Sequence, residues 1–307
     1  MVEMNKTFVN EFILLAFSDL HQLQHLLFIV FLFTYVTCIV GNISIVALVT
    51  ISSSLHTPMY FFISIFSVAE VMFVSVTVPK LLANLVAANN MISFSGCFTQ
   101  MYVFNSLGVT ECYLLAVMVF DRHLAINNPL RYSTLMTHVS CTGLAIFPWI
   151  IGFGIVLIPT IFTAHLEFCG PNVIDHFFCD LAPLQKLACS DPFISSVSTS
   201  AAAVFDVVVP FLLIIGLYSH IITTISKIRS DEGKQKAFST CTSHLIVASL
   251  FFGTAIIVYV KPKGTNYDKY LAFMYTAFTP MINPFIYTLR NRDVKKVFKK
   301  HLLKAVL

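Results

Sequence analysis

Charge is scarce in this chain. Asp, Glu, Lys and Arg together supply 11% of 307 residues, against 57% hydrophobic residues and a mean hydropathy of +0.82. A single soluble domain of ordinary proportions carries about a quarter of its residues as charges, so that class is excluded. Also lacking is any catalytic constellation of nucleophile, base and acid. The first ten residues are polar and lack both a basic start and an apolar core, so no cleavable signal peptide is expected. No inverted repeat or pair of interrupted apolar segments points to a transporter's midplane site.

What is present is apolar length. A helix crossing the hydrocarbon layer needs roughly 20 apolar residues, and seven runs qualify: Leu26 to Val49, Met59 to Leu82, Cys97 to Phe120, Ser140 to Phe162, Ile194 to Ser226, Ala237 to Val260 and Tyr270 to Leu289. The expected fold is all-α, one seven-helix transmembrane bundle over residues 26–289, preceded by an outer tail (1–25) and followed by an inner tail (290–307). Pro159, Pro210, Pro280 and Pro284 fall inside or near spans and predict kinks.

Basic residues orient the bundle. Thirteen of the 19 Lys and Arg fall on one face: Arg122, Arg131, Lys227, Arg229, Lys234, Lys236, Arg290, Arg292, Lys295, Lys296, Lys299, Lys300 and Lys304. The positive-inside bias makes that face cytoplasmic, with the carboxyl terminus inside and the amino terminus outside. Asn5-Lys6-Thr7 is then a glycosylation acceptor on the outer tail, whereas Asn42-Ile43-Ser44 lies within a span. Of eight cysteines, Cys97, Cys169, Cys179 and Cys189 lie outside or at the outer boundary. They suggest two disulfides, with three pairings open. In the inner tail, basic residues interleave with Val294, Val297, Phe298, Leu302 and Leu303, the pattern of a short amphipathic helix on an anionic membrane surface. Because this run directly follows a span, lipid is a better partner for it than nucleic acid.

The stretch MVFDRHLAINNPLRY, Met118 to Tyr132, places Asp121-Arg122 where an apolar run meets a polar, basic segment. Such an Arg can anchor the helix at the headgroups, or be held by its carboxylate and released to another acceptor as a switch. Together with Gly41-Asn42, LHTPMY (Leu55 to Tyr60), KAFSTCTSHL (Lys236 to Leu245) and PMINPFIYTLRN (Pro280 to Asn291), it resembles the olfactory receptor family of rhodopsin-like G-protein-coupled receptors, in its tetrapod-type, class II branch. The motifs occur in family order over nearly the whole chain.

The resemblance implies a multi-pass plasma-membrane receptor of olfactory sensory neuron cilia. It would bind a small volatile odorant and activate an olfactory stimulatory heterotrimeric G protein to raise cyclic AMP, with trafficking chaperones and arrestin as further partners. It would not be an enzyme. The implied disulfides are Cys97 with Cys179 and Cys169 with Cys189. The implied odorant contacts are Phe104, Asn105, Gly108, Val109, Ala202, Asp206, Phe252, Ala255, Ile256, Tyr259 and Thr276. Asp206 could accept a hydrogen bond from an alcohol, pair with an amine, or meet Asn105. The switch would use Asp121, Arg122, Tyr218, Asn283 and Tyr287. Asn42, Glu70, Glu111 and Asn283 would share one polar core that could hold a sodium ion, exchange protons, or simply pack as a hydrogen-bonded network; no cofactor is required. His176, Cys179 and Asp180 read either as a metal site or as a structural loop. Oxidation of Cys179 favours the loop.

The chain departs from the family's common MAYDRYVAIC at Val119, Phe120, His123, Leu124 and Asn127, and Phe252 and Leu217 stand where tyrosine and serine are common. Phe120 and His123 remove two tyrosine hydroxyls beside the switch, which leaves coupling strength open. A related chemosensory receptor acting outside the nose, or a transporter or channel, are the rival readings.

Overall fold

The computed structural model describes residues 9–87, 90–260, 268–290 and 294–298. Asn5 and most of the inner tail lie outside the described residues. In chain order the elements are β1 (Glu11–Leu14), α1 (Gln24–Ile51), α2 (Pro58–Ala87), β2 (Met91–Ser93), α3 (Phe94–Asn127), α4 (Tyr132–Leu135), α5 (His138–Ala164), β3 (Val173–Ile174), α6 (Leu181–Leu187), α7 (Phe193–Ala203), α8 (Val209–Lys227), α9 (Asp231–Val260), α10 (Asp268–Phe273) and α11 (Thr279–Arg290). All seven expected spans are helical, within a few residues of their expected limits at most ends; α3 and α9 run six or seven residues further at one end. Five of them (24–51, 58–87, 94–127, 138–164 and 193–227) are long and apolar enough to cross a membrane, and among the residues whose side chains are described α9 carries the apolar run Cys241–Ala255. Lipid offers no hydrogen bonds to a backbone, which is why every long apolar stretch closes into helix.

α3 is the axis of the bundle. Its most apolar window is 78% buried, against 22% for α1 and 11% for the fifth span. Both α3 and α5 begin at a side-chain cap: Ser93 Oγ accepts from the Gly96 N–H at 3.1 Å, and Thr137 Oγ1 accepts from the Ser140 N–H at 3.2 Å.

At two of the four prolines, Pro210 and Pro280, the expected kink takes a definite form, whereas Pro159 and Pro284 lie within continuous helix. The fifth span is α7 and α8 joined by a π turn at Val204–Val208, and the seventh is α10 and α11 joined by a π turn at Met274–Phe278. At each, the backbone N–H after the turn reaches five residues back, from Val209 to Val204 and from Thr279 to Met274. Pro210 and Pro280 follow one residue later with no N–H to give, so the helix widens where its ladder would break. At the first turn Tyr113 Oη donates to the Phe205 carbonyl at 2.8 Å. That is the acceptor an N–H at position 210 would have used in this register.

The outer tail carries a strand that the sequence does not announce: β1 lies at the centre of a three-stranded sheet in the order β2-β1-β3, antiparallel to β2 and parallel to β3. Phe12 and Leu14 are fully buried beneath it. Four residues of alternation are too few to announce a strand in a sequence. The disulfide Cys97–Cys179 ties the loop between α5 and α7 to the start of α3, Cys169–Cys189 closes that loop on itself, and β3 of the same loop pairs with β1. Gln185 of α6 secures it further, donating to Ser195 Oγ at 2.7 Å and Thr199 Oγ1 at 2.8 Å.

The tightest helix crossing is α3 on α5. A methyl group built at Gly152 would lie 2.5 Å from both the Ser106 carbonyl oxygen and Thr110 Oγ1, whereas one at Gly154 would meet nothing within 4 Å. Gly152→Ala is expected to cost about 1–3 kcal/mol through overpacking, lowering the thermal midpoint of the solubilised protein. Gly154→Ala should leave that midpoint unchanged.

Candidate functional site

Between the sheet-capped end and the middle of the bundle runs a chain of aromatic rings. Phe178 of the disulfide-held loop meets Phe104 of α3 at 4.5 Å, and Phe104 stacks on Phe73 of α2 at 4.6 Å. Phe73 meets Tyr275 edge-on, Tyr275 meets Phe251, and Phe251 and Phe252 continue to Phe211 of α8. Gly108 makes the close approach between α3 and the second π turn: its missing methyl would sit 3.3 Å from Tyr275 Oη and 3.6 Å from Phe73. Val109, Ala202, Phe252, Ala255 and Thr276 are buried, so most of the expected contact residues face the interior. The side chains of Ile256 and Tyr259 lie outside the described residues.

Polar atoms are few in this region and their positions are specific. Thr276 Oγ1 and Asp206 Oδ1 are shielded and have no protein partner. Asn105 does not meet Asp206; its amide donates to the Met101 carbonyl at 2.9 Å and to Asp180 Oδ1 at 3.4 Å. Asp206, on the first π turn, instead lies close enough to Cys112 and Tyr113 to act on them electrostatically. Apolar and aromatic side chains with two or three oriented oxygens are the chemistry that suits a small organic molecule. Phe73, Phe178, Phe251 and Tyr275 are not among the expected odorant contacts, and Asp180 reads in the sequence only as a metal or loop residue. Phe73 could have been found, since it lies three residues past Glu70 on one helix face.

Below the rings lies a polar core. Asn283 Nδ2 donates to Glu70 Oε1, and Asn42 Nδ2 donates to the Cys38 carbonyl at 3.1 Å and the Pro280 carbonyl at 3.4 Å. Glu70 and Glu111 are 1% exposed, and the two carboxylates interact. Glu70 Oε2, Glu111 Oε1, Asn42 Oδ1 and Asn283 Oδ1 are all buried without a protein partner. This set of unpaired hard oxygen donors fits a small cation or carboxyl protons. At the loop, Cys179 is consumed by its disulfide and His176 packs against Phe177 and Phe178, which is the structural arrangement. Among the described residues no group of three His, Cys, Asp or Glu could hold a metal ion.

At the far end of α3, Asp121 is fully buried. Its Oδ2 accepts from Arg122, through Nε at 2.9 Å and also through Nη2. Its Oδ1 accepts from Tyr132 Oη at 2.6 Å, which ties α4 to α3. Burial, and then this hydrogen bond, raise the Tyr132 phenol above its ordinary pKa, so the hydroxyl stays a donor across the physiological range. Nearby, Tyr218 Oη and Tyr287 Oη are buried without partners, and His244 packs 5.7 Å from the Tyr287 ring. Arg122 is therefore held by its neighbour, and two hydroxyls that could receive it stand empty-handed. Ser243 is buried here as well. The side chains of Lys236, Ser239 and Thr240 lie outside the described residues.

Comparison with known proteins gives a consistent answer. The profile described as "Olfactory receptor" matches residues 31–305. Olfactory receptor 10A7 of Homo sapiens is 44% identical over 310 residues, covering 100% of this chain and 98% of its own length. Olfactory receptor 5AP2 of Mus musculus is 46% identical, covering 97% and 95%, and Olfactory receptor 2A25 of Homo sapiens is 45% identical, covering 98% of both. Squid rhodopsin superposes with a TM-score of 0.74 at 17% identity, over 91% of this chain and 80% of its own, which establishes the shared fold.

Tyr113→Phe removes the donor that compensates Pro210 and should cost about 1 kcal/mol. Thermal unfolding of the solubilised protein checks it: a lowered midpoint is expected, and an unchanged one would mean the π turn does not depend on this hydroxyl.

Proposed function

We infer the function from descent and geometry together: the chain belongs to the olfactory receptor family, a family of receptors rather than enzymes, with the rhodopsin-like seven-helix fold. On this reading it is an odorant receptor of the plasma membrane. The sheet-capped end faces outward, and the end bearing Arg122 and most of the basic residues faces the cytoplasm. A small organic odorant binds among Phe104, Gly108, Val109, Phe252, Ala255 and Thr276. Asp206 or Asn105 orients its polar group. The output is an olfactory stimulatory G protein and, through it, cyclic AMP.

The observation that carries this reading is the pair of arrangements open to Arg122. Asp121, itself anchored by Tyr132, holds it in the resting state, and the partnerless hydroxyls of Tyr218 and Tyr287 supply the alternative. A ligand favours the second state only by binding it more strongly than the first. The aromatic chain links Phe104 to Tyr275 and Phe252, so repacking around a ligand is felt at the second π turn and on α9 together. Between the two ends, Asn42, Glu70, Glu111 and Asn283 would hold a sodium ion or the protons that replace it. The cation or the protons would neutralise the two carboxylates in the resting state, a balance lost when α11 shifts.

A panel of odorants read out by cyclic AMP in cells, with surface expression monitored, tests the reading. An active odorant should raise cyclic AMP, and Arg122→Ala should abolish the response at normal surface level. Ligand-driven current without G protein would point to a channel instead. Tyr132→Phe frees one oxygen of Asp121 and should raise ligand-independent cyclic AMP. For Asp206→Asn, a loss of potency confined to alcohols and amines is expected; unchanged potency and ligand ranking would remove Asp206 from the contact set.

A further inference from the structure

Beside Arg122, on an adjoining face of α3, stands a cluster the switch does not use. His123 Nε2 and His220 Nδ1 are 2.7 Å apart, with ring centroids at 4.9 Å, and Asn127 Nδ2 lies 3.1 Å from the same His220 nitrogen. His123 and Asn127, four residues apart, share one face of α3, and His220 comes across from α8. Because the Asn127 amide donates to His220 Nδ1, that nitrogen is the acceptor, and the proton in the short contact sits on His123 Nε2. His123 Nδ1 and Asn127 Oδ1 are then left over, and both are buried without a partner.

We propose that His123, His220 and Asn127 form a binding site for a divalent transition metal ion, of which zinc is the natural probe, bridging α3 and α8. Imidazole nitrogen with an amide oxygen suits zinc, copper or nickel far better than magnesium or calcium. Two nitrogens each bound at 2.0–2.1 Å to a tetrahedral metal lie roughly 3.3 Å apart, so the pair opens by only about half an ångström. No net proton is released. The His123 proton moves from Nε2 to the bare Nδ1, which frees the Nε2 lone pair, and His220 already presents Nδ1 unprotonated. Turning the Asn127 amide brings its partnerless Oδ1 to the metal as third ligand, with water completing the shell. Entry is open, because His220 is exposed and Asn127 half-buried. Among the described ionisable groups, His220 is the one that acts on His123, and Arg122 is drawn off to Asp121. A bound metal would pin α8 to α3 beside the Arg122 switch.

Zinc titration calorimetry on the full chain in lipid nanodiscs tests this directly and needs no odorant or G protein, so its outcome is separate from that of the signalling reading. One site is expected, with affinity reduced roughly tenfold or more by His220→Phe and by His123→Tyr. The second variant carries the residue common in the family and so keeps the fold. Zinc should raise the thermal midpoint of the wild type and not of either variant, and His176→Ala, at the other end of the bundle, should leave the titration unchanged. Equal affinity in the wild type and both histidine variants would overturn the proposal, as would loss of the site in His176→Ala alone.

Discussion

A carboxylate with no exposed surface cannot be left alone in a bundle surrounded by lipid, and Asp121 is in that position at the end of the central helix. Desolvating an ion costs several kcal/mol, and removing one member of a buried pair costs about 3–5 kcal/mol. Both oxygens of Asp121 are accordingly satisfied, one by Arg122 and one by Tyr132. This requirement fixes the rotamer of Arg122, docks α4, and keeps the guanidinium away from Tyr218 and Tyr287. The resting geometry of the whole lower half follows from it.

The upper half is governed by a different constraint, the missing N–H groups of Pro210 and Pro280. Each is absorbed by a π turn one residue earlier, and each turn carries a residue of the candidate odorant site: Asp206 on the first, Thr276 on the second. A widened turn presents side chains that an unbroken helix would rotate elsewhere. Backbone irregularity and ligand recognition are thus joined. The ring contacts from Phe178 through Tyr275 to Phe211 then link the second turn to α8 across the bundle, giving the proposed odorant site a packed route to α9.

The seven spans were legible because lipid enforces a single rule, apolar length closed into helix, and LHTPMY, KAFSTCTSHL and the Asp121-Arg122 stretch named the family without any geometry. The disulfide pairs were legible only through that resemblance, since four outer cysteines alone allow three pairings. Other features depend on tertiary partners that no window of sequence contains. β1 is a strand because β2 and β3 lie beside it. Asn105 chose Asp180 over Asp206 because the disulfide brings Asp180 over α3. Phe73 and Tyr275 enter the site only because Gly108 leaves them room. The prolines predicted kinks, but the form of the kink, a π turn completed in one case by Tyr113, is decided by neighbouring helices.

The claim that Asp121 restrains the bundle is tested most directly by the distance across its lower end. Spin labels at exposed Leu130 and Gln235 report the separation of the α3–α4 connection from the start of α9 by pulsed electron resonance. With the restraint as described, Asp121→Asn should populate a longer distance without any ligand. A folded Asp121→Asn receptor whose distance distribution matches the wild type would contradict the account.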